Sequence, residues 1–110
     1  MDDVERLLRL LALNDDESIQ RVLAAEGDPG LSERLSTKVD LLVQLGALLG
    51  LGAATASLRT TVERARRAGA SEAEIVDVLI SVAPALGLAR VVATAPRLAT
   101  ALGYELAADE

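Results

Sequence analysis

Ser71-Glu72-Ala73-Glu74-Ile75-Val76-Asp77-Val78-Leu79-Ile80-Ser81-Val82 decides the fold class. Its β-branched residues would suit a strand. Against that stands an S-x-x-E capping box, Ser71 with Glu74, which satisfies two orphan N–H groups at a helix start. Glu74, Asp77 and Ser81 also fall on one narrow stripe at helical spacing. The segment therefore reads as a helix. It is apolar on nearly every other side and lacks the wet face that a surface helix of a small monomer needs, so a second subunit is expected to cover it.

Upstream, Gly69 ends a helix over about 54–68 whose last turns hold Arg64, Arg66 and Arg67, cations suited to the negative end of the helix dipole. Ser36 caps a helix through about Leu49, with Gly50-Leu51-Gly52 as its breaker. Residues 41–58 carry no charge, the length of a short membrane span. Gln44, Thr55, Ser57 and the glycines at 46, 50 and 52, without flanking basic or aromatic anchors, favour a buried helix–loop–helix instead. Gly46-x-x-x-Gly50 is then a close-packing site, unless it is only a terminator. Nearer the N-terminus, Val4, Leu7, Leu8 and Leu11 stripe an amphipathic helix over 3–13. Asn14 is expected to cap a second helix over 15–26, with Asp15 and Asp16 in its first turn and Glu17 at the capping-box position. Gly27-Asp28-Pro29-Gly30 closes that helix. Downstream, Pro84 and Gly87 punctuate, and a last helix over about 87–102 stops at Gly103. The pattern is all-α, with about six helices.

The 110 residues make one domain's worth of chain, and the apolar half is Leu, Ala, Val and Ile with one Met and one Tyr. The core must be aliphatic. With no Cys and no His, disulfides, a thiol nucleophile, a Cys/His zinc site, His-ligated haem and any triad with an imidazole base are excluded. No metal or other cofactor is expected. The net charge of −6 repels phosphate backbones and anionic lipid, and Tyr104 alone gives no stacking platform, so neither nucleic acid nor membrane is an expected partner. Residues 1–33 hold nine acids and three bases, and so the whole net charge. The acidic start lacks the basic region of a secretory signal, which makes the cytoplasm the expected compartment.

Leu35-Ser36-Thr37-Lys38-Val39-Asp40-Leu41-Leu42, then Arg66-Arg67-Ala68-Gly69-Ala70-Ser71-Glu72-Ala73-Glu74-Ile75-Val76-Asp77-Val78-Leu79, then Pro84-Ala85-Leu86-Gly87 resemble the carboxymuconolactone decarboxylase and alkylhydroperoxidase D-like family. The resemblance covers roughly 33–103. It implies an all-helical domain assembled as a homo-oligomer, a dimer, trimer or hexamer, with a pocket where helices of neighbouring subunits meet. With the breaker at Gly27-Asp28-Pro29-Gly30 as the internal boundary, the chain divides into an N-terminal helical pair (1–30), a family-like core (31–106) and an acidic tail (107–110). The peroxidase branch carries C-x-x-C-x-x-x-H on the helix before the glycine. Counted back from Gly69, those positions fall on Ala54, Ser57 and Thr61, so a dithiol peroxidase is excluded. The decarboxylase branch resembles a histidine acid–base enzyme, and this chain supplies no histidine. Ala85 stands where the family has a tyrosine.

What remains could still bind. Spacings of three and four put residues 54, 57, 61, 65 and 68 on one helix face. Ser57 and Thr61 could orient a polar group there, and Arg59 or Arg90 could meet a small anion such as a carboxylate. Lys38, Glu63 and Asp77 are the other candidate bases, and two of them have a plainer explanation: Lys38 as a solvated helix-start charge, Glu63 as the ion-pair partner of Arg66 or Arg67. Arg90, Thr94 and Arg97 form a stripe most simply read as solvent-facing. The arginines of the fourth helix would face the acidic residues 1–33. Asp2, Asp3, Asp15, Asp16 and Glu17 lack the alternating spacing of a calcium loop and read as helix-end charges. The expected function is a non-catalytic assembly or interaction module. The alternative is a small-molecule binder, or a non-redox decarboxylase-like enzyme on lactones or carboxylates, with a membrane-associated hairpin over 39–58 as the third reading.

Overall fold

The computed structural model describes residues 2–24 and 34–106. Among them are six helices and no strand: α1 (Asp3–Ala12), α2 (Asp16–Leu23), α3 (Thr37–Leu51), α4 (Thr55–Arg67), α5 (Glu72–Leu86) and α6 (Leu88–Leu102). The chain forms two compact units, Met1–Arg34 and Leu35–Glu110.

In the first unit α1 and α2 pack on each other. Asn14 is not the cap of α2. It takes the left-handed conformation (φ 62°), its N–H donating to Leu11 O and that of Asp15 to Leu10 O, and so closes α1 in a Schellman motif, a role asparagine tolerates. The cap of α2 is Asp15, whose carboxylate accepts from the Ser18 N–H at 3.0 Å and the Ser18 hydroxyl at 2.7 Å. These bonds, the hydroxyl's first, hold the Asp15 carboxyl below its ordinary range. Asp2 caps α1 in the same way, accepting from Glu5 N at 2.8 Å. The second helix ends at Leu23 with Ala24 as its C-cap, earlier than its apolar spacing suggests. The breaker Gly27-Asp28-Pro29-Gly30 and the tail 107–110 lie outside the described residues.

The second unit is a ring of four helices in which α3 touches α4 and α5, and α6 touches the same two. Leu41, Leu45 and Leu49 of α3 meet Leu58, Val62 and Ala65 of α4, Ile75 of α5 and Leu98, Ala101 and Leu102 of α6 in an aliphatic core. The charge-free run 41–58 is divided between α3 and α4 by a turn at Gly52, and no described helix is long and apolar enough to cross a membrane. Gly50 does not break α3. Gly46 and Gly50 face α5 instead, where an added Cβ would lie 3.4 Å from Val82 and 3.2 Å from Leu86; the small pair lets the two helices close up. The break is at Gly52, left-handed at φ 71°, with a Schellman pair from Gly52 N to Leu49 O and Ala53 N to Leu48 O.

The capping box of α5 forms in full, Ser71 with Glu74. Pro84, however, does not interrupt α5, which runs on to Leu86. The carbonyl that a proline at this position leaves unbonded is that of Ile80, on an exposed flank where water can take the place of the missing donor. Pro96 sits inside α6 in the same way, exposed.

Candidate functional site

Helix α4 starts at Ala54, an extended N-cap with no side-chain capping bond. Ala54 and Ser57 are exposed, whereas Thr61, one turn further on, is buried with Leu58, Val62 and Ala65. The three motif positions thus run from solvent at the helix start into the core. Arg59 is exposed on the same helix.

Beside this start lies the end of α3, and α6 reaches it. Arg97 donates through Nη1 to Gly52 O at 2.8 Å and to Ala53 O at 3.4 Å. The Arg90 guanidinium rests against Gly52, in the space a Cβ there would need. Thr94 is fully buried and its hydroxyl points at Leu49 O, 3.5 Å away. The Arg90–Thr94–Arg97 stripe is therefore not a plain solvent face. Carbonyls left over at a helix C-terminus carry partial negative charge and draw cations to them. Sequence reasoning missed this because the acceptors are backbone atoms 44 and 45 residues away from Arg97, invisible to any side-chain spacing.

The candidate bases stand elsewhere. Lys38 is at the first turn of α3, roughly 20 Å along that helix from Gly52, with Nζ 3.0 Å from Glu74 Oε2. Ser71's backbone N–H first, and Lys38 second, hold the Glu74 carboxyl below its ordinary range. Glu63 is exposed, and the ion pair expected of it belongs to Glu72 instead, 3.6 Å from Arg66. The capped start of α5 brings Glu72 to Arg66. Near this corner desolvation, with the Glu72 carboxylate as a second cause, raises the Tyr104 phenol above its ordinary range. Asp77 is exposed. Two guanidinium groups thus stand at the Gly52–Ala53 turn that leads into α4, whereas Lys38 is paired with Glu74.

Residues 15–101 match the Carboxymuconolactone decarboxylase family. The chain belongs to that family. The match begins at Asp15, the cap of α2, so this carboxymuconolactone decarboxylase family member extends the likeness beyond 33–103 to take in its second helix. No curated protein and no solved structure matches the chain. The all-helical fold agrees with the family, and the chain holds no Cys and no His.

Proposed function

We propose that this member of the family is a non-catalytic, self-assembling interaction module. The observation that carries the reading is α5: of its fifteen residues only Ile75 is fully buried in the single chain, and Ile80 is 62% exposed. Val76, Ile80 and Ala83 share that flank by helical spacing. On α6, Leu88 and Val92 are also exposed, and on α3 the stripe Val39, Val43 and Leu51 is likewise open. Covering each such side chain contributes roughly 1–2 kcal/mol, and a closed homo-oligomer covers them in pairs. The absence of Cys and His supports a role without redox or imidazole chemistry. Light scattering with refractive-index detection tests the reading. The wild-type chain should give one discrete mass, that of a dimer, trimer or hexamer, and Ile80→Glu should lower it. A wild-type monomer overturns the reading.

A second reading is a small-carboxylate or lactone binder at Ala54, Ser57 and Thr61, with Arg59 or Arg90 meeting the anion. The approach of Arg90 to Gly52, two residues before Ala54, favours it. Thermal shift with small carboxylates and lactones distinguishes it: a ligand's shift should vanish in Ser57→Leu, and no shift in the wild type leaves the assembly module alone.

A further inference from the structure

The first unit holds a cleft of about 750 Å³ lined by Leu7, Leu10 and Leu11 together with Arg6, Arg21 and Arg34. The volume is that of a small-molecule site. Its charge is sorted against its surroundings. The described residues of this unit, 2–24 and 34, contain six acids and four arginines, yet among them three of the four arginines and one acid, Asp3, line the cleft. The fourth, Arg9, lies outside it and is paired with Glu5 at 2.9 Å. Among the described residues none of Arg6, Arg21 and Arg34 meets a carboxylate within ion-pair distance. In so acidic a segment, three unpaired guanidinium groups around leucine side chains are a site awaiting a negative charge that carries its own apolar body. The leucines also need cover: no residue of α1 is buried, although the helix is strongly amphipathic.

We infer that this cleft binds an amphipathic monoanion of the aliphatic carboxylate class. The acyl chain lies along the Leu7–Leu10–Leu11 face, and the carboxylate is held in the forked geometry that guanidinium groups provide. The α1 stripe from Val4 to Leu11 is roughly 10 Å long at the helical rise, which suits a medium-length chain. The described lining comes from the first unit alone, so the site stands whether or not the chain self-assembles.

Octanoate is the probe, titrated calorimetrically into the full chain below its micelle concentration, with 1-octanol and acetate as the uncharged and chainless controls. Saturable binding of octanoate, at least about tenfold tighter than of either control, is the expected result. Arg34→Gln, which lies outside every helix, and Arg21→Gln should each weaken it by about tenfold or more, while Arg9→Gln should leave it unchanged. No saturable binding overturns the inference. So does equal binding of 1-octanol, or binding indifferent to Arg21 and Arg34, since either means adsorption to exposed leucines. Light scattering on the same samples closes the remaining route: if octanoate or Arg21→Gln lowers the particle mass, the cleft is an interface between copies and the inference fails, whereas a wild-type monomer that binds octanoate sinks only the assembly reading.

Discussion

Lys38 Nζ stands 3.0 Å from Glu74 Oε2 and ties the first turn of α3 to the first turn of α5. Glu74 does two jobs, since its other oxygen, Oε1, accepts from the Ser71 N–H at 2.8 Å and completes the capping box. The two jobs differ in weight. The ion pair joins side chains 35% and 42% exposed, where water screens it, whereas the cap satisfies backbone donors that have no other partner.

Ser71→Ala should therefore cost about 1 kcal/mol, and Lys38→Met should lower the melting temperature by less. The pH dependence follows from the lowered Glu74 carboxyl. A group whose folded pKa is depressed contributes stability that is present above its ordinary value, here 4.5, and lost as pH falls through the folded value. The gap in melting temperature between wild type and Glu74→Gln, followed by circular dichroism, should be widest near neutrality and close as pH falls below 4.5. A gap that stays constant with pH would show that the charge on Glu74 contributes nothing.

Gly46 offers a test of the α3–α5 contact with opposite signs at one position. An added Cβ meets Val82 Cγ1 at 3.4 Å and Val78 Cγ1 at 3.5 Å, ordinary contact distances, and alanine is a better helix former than glycine by about 1 kcal/mol. Gly46→Ala should stabilise the chain by up to that amount in urea denaturation. Gly46→Leu should destabilise it by about 1–3 kcal/mol, because the larger side chain has only the packed valines to enter. If the leucine variant is as stable as the alanine one, the helices do not close on Gly46.

The helices were legible from sequence where a local device sets them: the box at Ser71 and Glu74, the cap at Ser36, the glycines at 69 and 103. Their errors share a cause. Asn14 can serve either as a cap or as a left-handed closing residue, and a side chain's preferences do not say which when the next residue, Asp15, is an equally good cap. Pro84 reads as a stop because it removes a donor, yet on an exposed flank that loss is small enough for α5 to continue. In the candidate site, the positions of Ala54, Ser57 and Thr61 on α4 followed from counting. The environment of Arg90 and Arg97 did not, because what they approach is the backbone of a turn made by another helix. The cleft at Arg6, Arg21 and Arg34 escaped for a related reason: each arginine alone is an ordinary polar residue, and only the fold of the first unit gathers them.

Gly52 carries the last prediction, because two demands meet there. Its φ of 71° lies in the left-handed region, where a side chain costs roughly 1–2 kcal/mol. A Cβ would also displace the Arg90 guanidinium, which packs against the residue. Gly103 isolates the first demand, being left-handed at φ 91° with nothing within 4 Å of an added Cβ. Gly52→Ala should thus destabilise the chain more than Gly103→Ala, both measured by urea denaturation. In a double-mutant cycle, Arg90→Ala should recover part of the extra loss, because the guanidinium is no longer there to be displaced. Strict additivity of Gly52→Ala and Arg90→Ala would mean that Arg90 moves aside freely, and with it would go the case for a guanidinium held at the start of α4.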